Sequence, residues 1–428
     1  MTKLVEDPGR IAQLAGDIVA GSLGIESLVE RYLARIEAVD NEVEAWRLVD
    51  AEGALAQASA LQRELAVSGP RGPLHGIPLA VKDVIDVAGF PTRAGSRLWE
   101  NVESASSDAE VVSALRAAGA IPLGKVHTTE FAFFDASPAR NPHNPGHTPG
   151  GSSSGSGAAV AGGMAPAALG TQTVASVNRP AAYCGIAAFK PSTGSLSTFG
   201  VTPLAPMYDT VGFFGARVED AVYLYGAMRC MEIARTPRDS LTIMRLEDPL
   251  LDDAAPDVVE AMDEACRRFE AAGHRVVVRR APVSMEGVRD RQWCTARYQM
   301  AQVHADKRDE PLVGERFREA LASGAALSGR EFAEMRRSLG ADRERLYDEC
   351  ADADVIVWPA APATAPEGIQ STGDPRYIGP WTALGGPVIT APAGSGANGL
   401  PLGVLFIGAP GADLGIARAA LALSELLE

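Results

Sequence analysis

Three short segments of this chain combine residue types suited to acyl transfer. The first, Ile77-Pro78-Leu79-Ala80-Val81-Lys82-Asp83, sets a lysine inside an apolar run. The second, Gly150-Gly151-Ser152-Ser153-Ser154-Gly155-Ser156, contains only serine and glycine. The third, Gly170-Thr171-Gln172-Thr173-Val174-Ala175-Ser176-Val177-Asn178-Arg179-Pro180, is a small-residue turn with a serine near its middle. A serine hydroxyl attacks a carbonyl only when a base takes its proton and donors stabilise the oxyanion. Lysine serves as that base when neutral, which requires burial or a cationic neighbour. Moving its pKa from about 10.4 to about 7 takes roughly 4–5 kcal/mol, and an apolar strand is a place to supply it. The plainer alternative is an ion pair with Asp83 or Asp86.

Other chemistries fit less well. Gly151-Ser152-Ser153-Ser154-Gly155 satisfies the G-x-S-x-G elbow, in which Ser153 would attack as an esterase, with a later Asp and His274 or His304. No clear strand precedes that loop, and neither histidine lies in a recognisable motif. His143 and His147 are four apart, but Pro145 between them argues against a metal-binding helix. No Gly-Lys-Ser/Thr follows the glycines, so a phosphate cradle is not expected. Neither a metal nor a cofactor is expected.

The elements that must hold these segments show as alternating patterns. Leu28, Tyr32, Ile36 and Val39 repeat at helical spacing behind a capping-box pattern at Ser27 and Glu30. Ala51, Leu55, Ala58 and Leu61 suggest a second helix, so residues 1–66 are expected as an N-terminal helical segment. Strands are expected at 79–84, 121–123, 241–244, 275–278, 355–358, 388–391 and 402–407. Helices are expected at 108–118, 218–228, 257–272, through most of 284–350 and at the C-terminus. This alternation implies an α/β fold with a large, mixed, mostly buried sheet surrounded by helices. Residues 141–157 lack bulk and read as a loop held by its surroundings, since the apolar segment behind them must be buried.

Composition excludes several partners. The formal charge of −15 argues against a nucleic-acid surface, which needs clustered basic side chains. Five cysteines without a C-x-x-C pair point to reduced, mostly buried thiols in a cytoplasmic protein. Residues 1–10 carry two acids and a proline and do not read as a signal peptide. The most apolar window, 157–170, is too short to cross a membrane.

The ordered series of motifs resembles the amidase-signature family over most of the chain. It starts at Gly76-Ile77-Pro78 with Val81-Lys82-Asp83 and passes through Asp86, Gly89, Gly124-Lys125 and Asn141-Pro142. The dense core runs from Gly150 to Gly162 and from Gly170 to Pro180, followed by Cys184-Gly185, Lys190-Pro191, Asp209 and Gly212. Gly385-Gly386-Pro387 and Gly399-Leu400-Pro401-Leu402-Gly403-Val404 fit the closing block. The resemblance implies Ser176 as nucleophile, Ser152 on a cis peptide bond as proton relay, and Lys82 as base. It implies an oxyanion hole from the N–H groups of Thr173, Val174, Ala175 and Ser176. Most members carry Asp where Gln172 stands, and Gly-Gly or Ala-Gly where Val174 and Ala175 stand. If either position needs positive φ, a β-carbon costs about 1–2 kcal/mol.

The same resemblance implies a single domain over 1–428, with the helical insertion 284–350 forming part of the substrate cleft. The expected activity is hydrolysis of small amides or carbamates, aryl amides and urethanes favoured, with esters also cut. Phe133, Phe134, Gln172 and Trp381 are the expected substrate contacts. A small-molecule substrate and a monomer or homodimer are expected, without nucleic acid or membrane. The alternative is the amidase component of an amidotransferase complex.

Overall fold

Leu79, Ala80 and Val81 lead into Lys82 along a strand buried at every position, as an unbroken apolar run requires when both sheet faces are covered. The computed structural model describes residues 3–234 and 240–427. Its strands in chain order are β1 (Trp46–Val49), β2 (Pro78–Lys82), β3 (Ile121–Val126), β4 (Ala167–Gln172), β5 (Ala187–Lys190) and β6 (Thr210–Gly215). They continue with β7 (Thr242–Glu247), β8 (Arg275–Arg280), β9 (Val355–Pro359), β10 (Val388–Ser395) and β11 (Pro401–Ile407). All eleven form one sheet, ordered β1-β3-β2-β4-β6-β5-β10-β11-β9-β7-β8. Pairing is parallel for β2 with β3 and β4 and for β7 with β8 and β9, and antiparallel elsewhere. Thirteen helices accompany it among the described residues. The expected mixed α/β architecture is therefore the observed one.

The N-terminal segment differs from its helical reading in two ways. The helix Ile25–Val43 buries Leu28, Tyr32, Ile36 and Val39, but it starts two residues before Ser27, and Gly24 is its N-cap. The Ile25 N–H is satisfied by Gln62 Oε1 at 2.8 Å, so a neighbouring helix supplies what a capping box would have supplied. Glu44, at φ 51, ends that helix, and the chain turns into β1, which adds to β3 as an edge strand. At the other edge, β8 reads Arg-Val-Val-Val-Arg-Arg, and its arginines discourage pairing with a further strand. Residues 284–350 carry the expected helices, Met285–Val303, Glu315–Ala325 and Gly329–Glu349.

The serine-rich loop is shorter than its composition suggests. Ser154 opens the helix Ser154–Ala161, buried throughout. Small residues make this possible, because a β-carbon on Gly155 would lie 2.4 Å from the Ala45 carbonyl oxygen. Likewise, a β-carbon on Gly170 would lie 2.7 Å from Ser153 Oγ. The loop itself is fastened rather than free. Asn141 Nδ2 donates to the Tyr183 carbonyl at 2.8 Å, and His143 and His147 contact the carbonyls of Cys184 and Ala365 at 3.0 and 2.8 Å. Both histidines thus tie loops together.

Candidate active site

Lys82 is the last residue of β2, and the parallel strand β4 ends beside it at Gln172. Loops leaving the carboxyl ends of parallel strands share one rim, where sites in α/β sheets form. Lys82 is wholly buried. Its Nζ lies 2.7 Å from Ser152 Oγ and 2.8 Å from Thr171 Oγ1. Burial holds its pKa well below the ordinary lysine range, outweighing the opposite pull of the Asp209 charge. Asp83 does not pair with it: that carboxylate meets Lys125 at 3.0 Å. Lys125 pairs in register with Val81, and successive residues of a strand face opposite sides, which separates the ion pair from Lys82.

Ser152 is 1% exposed and follows a cis peptide bond from Gly151. Arg179 Nη2 donates to the Gly151 carbonyl at 2.7 Å, and Thr129 N–H donates to the Ser152 carbonyl at 3.2 Å. Next along, Ser153 N–H donates to the Ser176 carbonyl at 3.3 Å and joins the two serine turns. Exposure rises from 0% at Lys82 through 1% at Ser152 to 8% at Ser176. All three are buried, and Ser176 is the least buried of the series.

The turn from Thr173 to Ser176 follows β4. None of its four backbone N–H groups donates to another described residue. Unpaired N–H groups gathered in one turn beside a serine suit a developing oxyanion. The positive-φ residues other than glycine lie elsewhere, at Glu44, Ala94, Phe131, Ala132 and Cys230. Val174 and Ala175 therefore carry no left-handed strain.

Two expected substrate contacts are placed elsewhere. Gln172 is wholly buried. Its Oε1 accepts from the N–H groups of Val177 and Asn178 at 2.8 and 3.0 Å. Its Nε2 donates to Asn178 Oδ1 and Thr382 Oγ1, each at 2.9 Å. All of its hydrogen-bonding capacity thus goes to bracing the turn. Trp381 is also wholly buried, packed edge-on against Trp358 with ring centroids 5.5 Å apart. Phe133 and Phe134 remain half-buried. Phe134 lies 5.2 Å from Trp293, and a cleft of about 610 Å³ includes Phe133, Trp293, Cys294 and Arg297.

The nucleophile-elbow alternative fails on burial. Ser153 is wholly buried, donates to the Thr171 carbonyl and accepts from the Thr171 N–H, both at 3.2 Å. His304 faces the Pro203 carbonyl and His274 accepts from Leu241 N–H, so neither activates it. Sequence reading missed Thr171, Gln292 and Thr382. Only Thr171, inside the third segment, carried a local signal.

The fold, the buried lysine and the paired serine turns define an amidase-type hydrolase. The amidase family profile matches residues 27–416, so the chain belongs to that family and hydrolyses carbon–nitrogen bonds. It is 32% identical to a glutamyl-tRNA(Gln) amidotransferase subunit of Thioalkalivibrio sulfidiphilus, over 93% of each chain. A solved amidase superposes with a TM-score of 0.88 at 29% identity, covering 98% of this chain and 100% of that one. The peptide amidase of Stenotrophomonas maltophilia gives 0.80 at 26% identity, covering 98% and 96%. No helix among the described residues is long and apolar enough to cross a membrane.

Proposed function

We propose that this chain is a self-sufficient serine amidohydrolase acting on small amides and carbamates, aryl ones favoured, as a monomer or homodimer. Residues 1–428 act as one unit, with the helical insertion 284–350 as one wall of the cleft. Ser176 Oγ attacks the substrate carbonyl while its proton passes through Ser152 to Lys82 Nζ. The N–H groups of Thr173 to Ser176 receive the oxyanion. Collapse breaks the carbon–nitrogen bond, and the proton returns through Ser152 to the departing amine. Water then attacks the acyl-enzyme by the same route and frees Ser176. Esters follow the same path with less demand for leaving-group protonation.

The contact between Lys82 Nζ and Ser152 Oγ at 2.7 Å carries this reading, because the lysine is wholly buried and held toward its neutral form. Half-buried Phe133 and Phe134, with Trp293 opposite, support an aryl preference. The test is intact-protein mass after a fluorophosphonate probe. Wild type and Ser153→Ala should gain one label, and Ser176→Ala none. Labelling lost only in Ser153→Ala overturns the assignment.

The Thioalkalivibrio relative favours a second reading, one component of a complex that releases ammonia for a partner. Gln172, Val174 and Ala175 depart from the Asp and Gly-Gly pattern of that branch. Hydrolysis of a simple aryl amide by the isolated chain supports the self-sufficient enzyme, and its absence supports the component of a complex.

A further inference from the structure

A trans peptide unit points the C=O of one residue and the N–H of the next in opposite directions. Among the described residues only Gly151–Ser152 is cis. Fixing a carbonyl in the turn 173–176 therefore aims the following N–H. All four carbonyls there are held. Ala175 accepts from Arg179 N–H at 3.0 Å and Ser176 from Ser153 N–H at 3.3 Å, both backbone donors. The other two are held by side chains from distant segments. Thr173 accepts from Gln292 Nε2 at 3.0 Å, and Val174 accepts from Thr382 Oγ1 at 2.6 Å.

Gln292 is a poor core residue on stability grounds alone. It is wholly buried, and its Oε1 has no hydrogen-bond partner, an unfavourable state for a buried amide. Turning the amide over would set Oε1 against the Thr173 carbonyl, two acceptors face to face. One orientation serves, and what it does is hold Thr173.

We propose that Gln292 and Thr382 are positioning residues for the oxyanion hole. Holding the carbonyls of Thr173 and Val174 inside the protein turns the N–H groups of Val174 and Ala175 toward the substrate. The helix Met285–Val303 then has two tasks at adjacent positions. Trp293 borders the cleft that also includes Phe133 and Arg297, and Gln292 holds the Thr173 carbonyl. This inference rests on Ser176 being the nucleophile.

The test measures kcat, KM and pH profile on an aryl amide for Gln292→Met, Gln292→Glu, Thr382→Val and Thr382→Ser, with Ser176→Ala in parallel. Losing one oxyanion donor outright costs about 10²–10³ in kcat. Loosening its support in Gln292→Met or Thr382→Val should cost about tenfold to a hundredfold, with KM changed by less than about threefold. Thr382→Ser keeps the hydroxyl and should keep most of the activity. Gln292→Glu adds a signature that a packing role lacks. Its protonated carboxyl can donate to Thr173 and its carboxylate cannot, so kcat relative to wild type should fall as pH rises. Wild-type kcat in both Gln292→Met and Thr382→Val, or a loss confined to KM, overturns the proposal. If Gln292→Met does not fold, the Thr382 pair decides. Full turnover in Ser176→Ala would overturn the nucleophile assignment instead, which separates the two failures.

Discussion

Replacing Gln172 with Glu changes almost no volume and reverses two hydrogen bonds. The Oε1 contacts to Val177 and Asn178 N–H survive, but Nε2 no longer donates to Asn178 Oδ1 and Thr382 Oγ1. Asn178 cannot turn over freely, because its Nδ2 donates to the Val388 carbonyl and Thr390 Oγ1 at 3.2 and 3.0 Å. Thr382 cannot redirect its proton without releasing Val174. The least costly response is a protonated carboxyl that keeps one donor and loses one hydrogen bond, at about 1 kcal/mol. Holding it neutral at about pH 7 against an unfolded pKa of about 4.3 costs about 3.7 kcal/mol more. At about pH 5 that second cost falls to about 1 kcal/mol. Gln172→Glu should therefore be less stable than wild type by about 2 kcal/mol at about pH 5, and by at most about 4–5 kcal/mol at about pH 7. The sign follows from linkage: the folded pKa is raised, so the folded mutant binds a proton that the unfolded chain releases, and its stability falls as pH rises. Urea unfolding at both pH values measures the difference. A pH-independent change below about 1 kcal/mol would refute the bracing role. Normal stability with a raised KM would return Gln172 to the substrate.

In the proposed mechanism Lys82 takes the proton only when deprotonated, and burial depresses its pKa. kcat/KM should therefore rise with pH through a midpoint below the ordinary lysine value and then level; a flat profile from mildly acidic to alkaline pH would exclude the base. Lys82→Met should abolish turnover. Its stability relative to wild type should be greatest at low pH and narrow toward about pH 10, because a depressed folded pKa penalises wild type wherever the unfolded lysine is protonated. Urea unfolding across that range checks the trend, and a gap that widens with pH refutes it. Trp381→Ala should lose about 3–5 kcal/mol of stability, as core truncations do. Phe134→Ala should instead raise KM for an aryl amide with little loss of stability. Paired unfolding and KM measurements that reverse this pattern would put Trp381 in the cleft and Phe134 in the core.

Within the chain, chemistry carried by contiguous residues was legible. Lys82 in its apolar strand, the serine loop and the turn ending in Ser176 each announce themselves through local composition, and their order carries the family resemblance. The buried strands β2, β3 and β9 were legible for the same reason, since continuous burial demands continuous apolar residues, whereas β4, equally buried, was not among the expected strands. Short elements were not legible: β5, β6 and the helices Asn178–Tyr183 and Gly379–Leu384 span only four to six residues each, too few for a period to show. Nor can adjacency in sequence say which polar groups meet. Asp83 sits beside Lys82 in the chain yet pairs with Lys125, which lies in register with Val81 on the neighbouring strand. Gln172 and Thr382 are 210 positions apart, and only the closed sheet brings them within 2.9 Å. Local residue types thus determined which groups could react. The packing of distant segments decided which serine is least buried, which lysine has its charge disfavoured by burial and which carbonyls of the turn are held, because burial and direction belong to the folded chain alone.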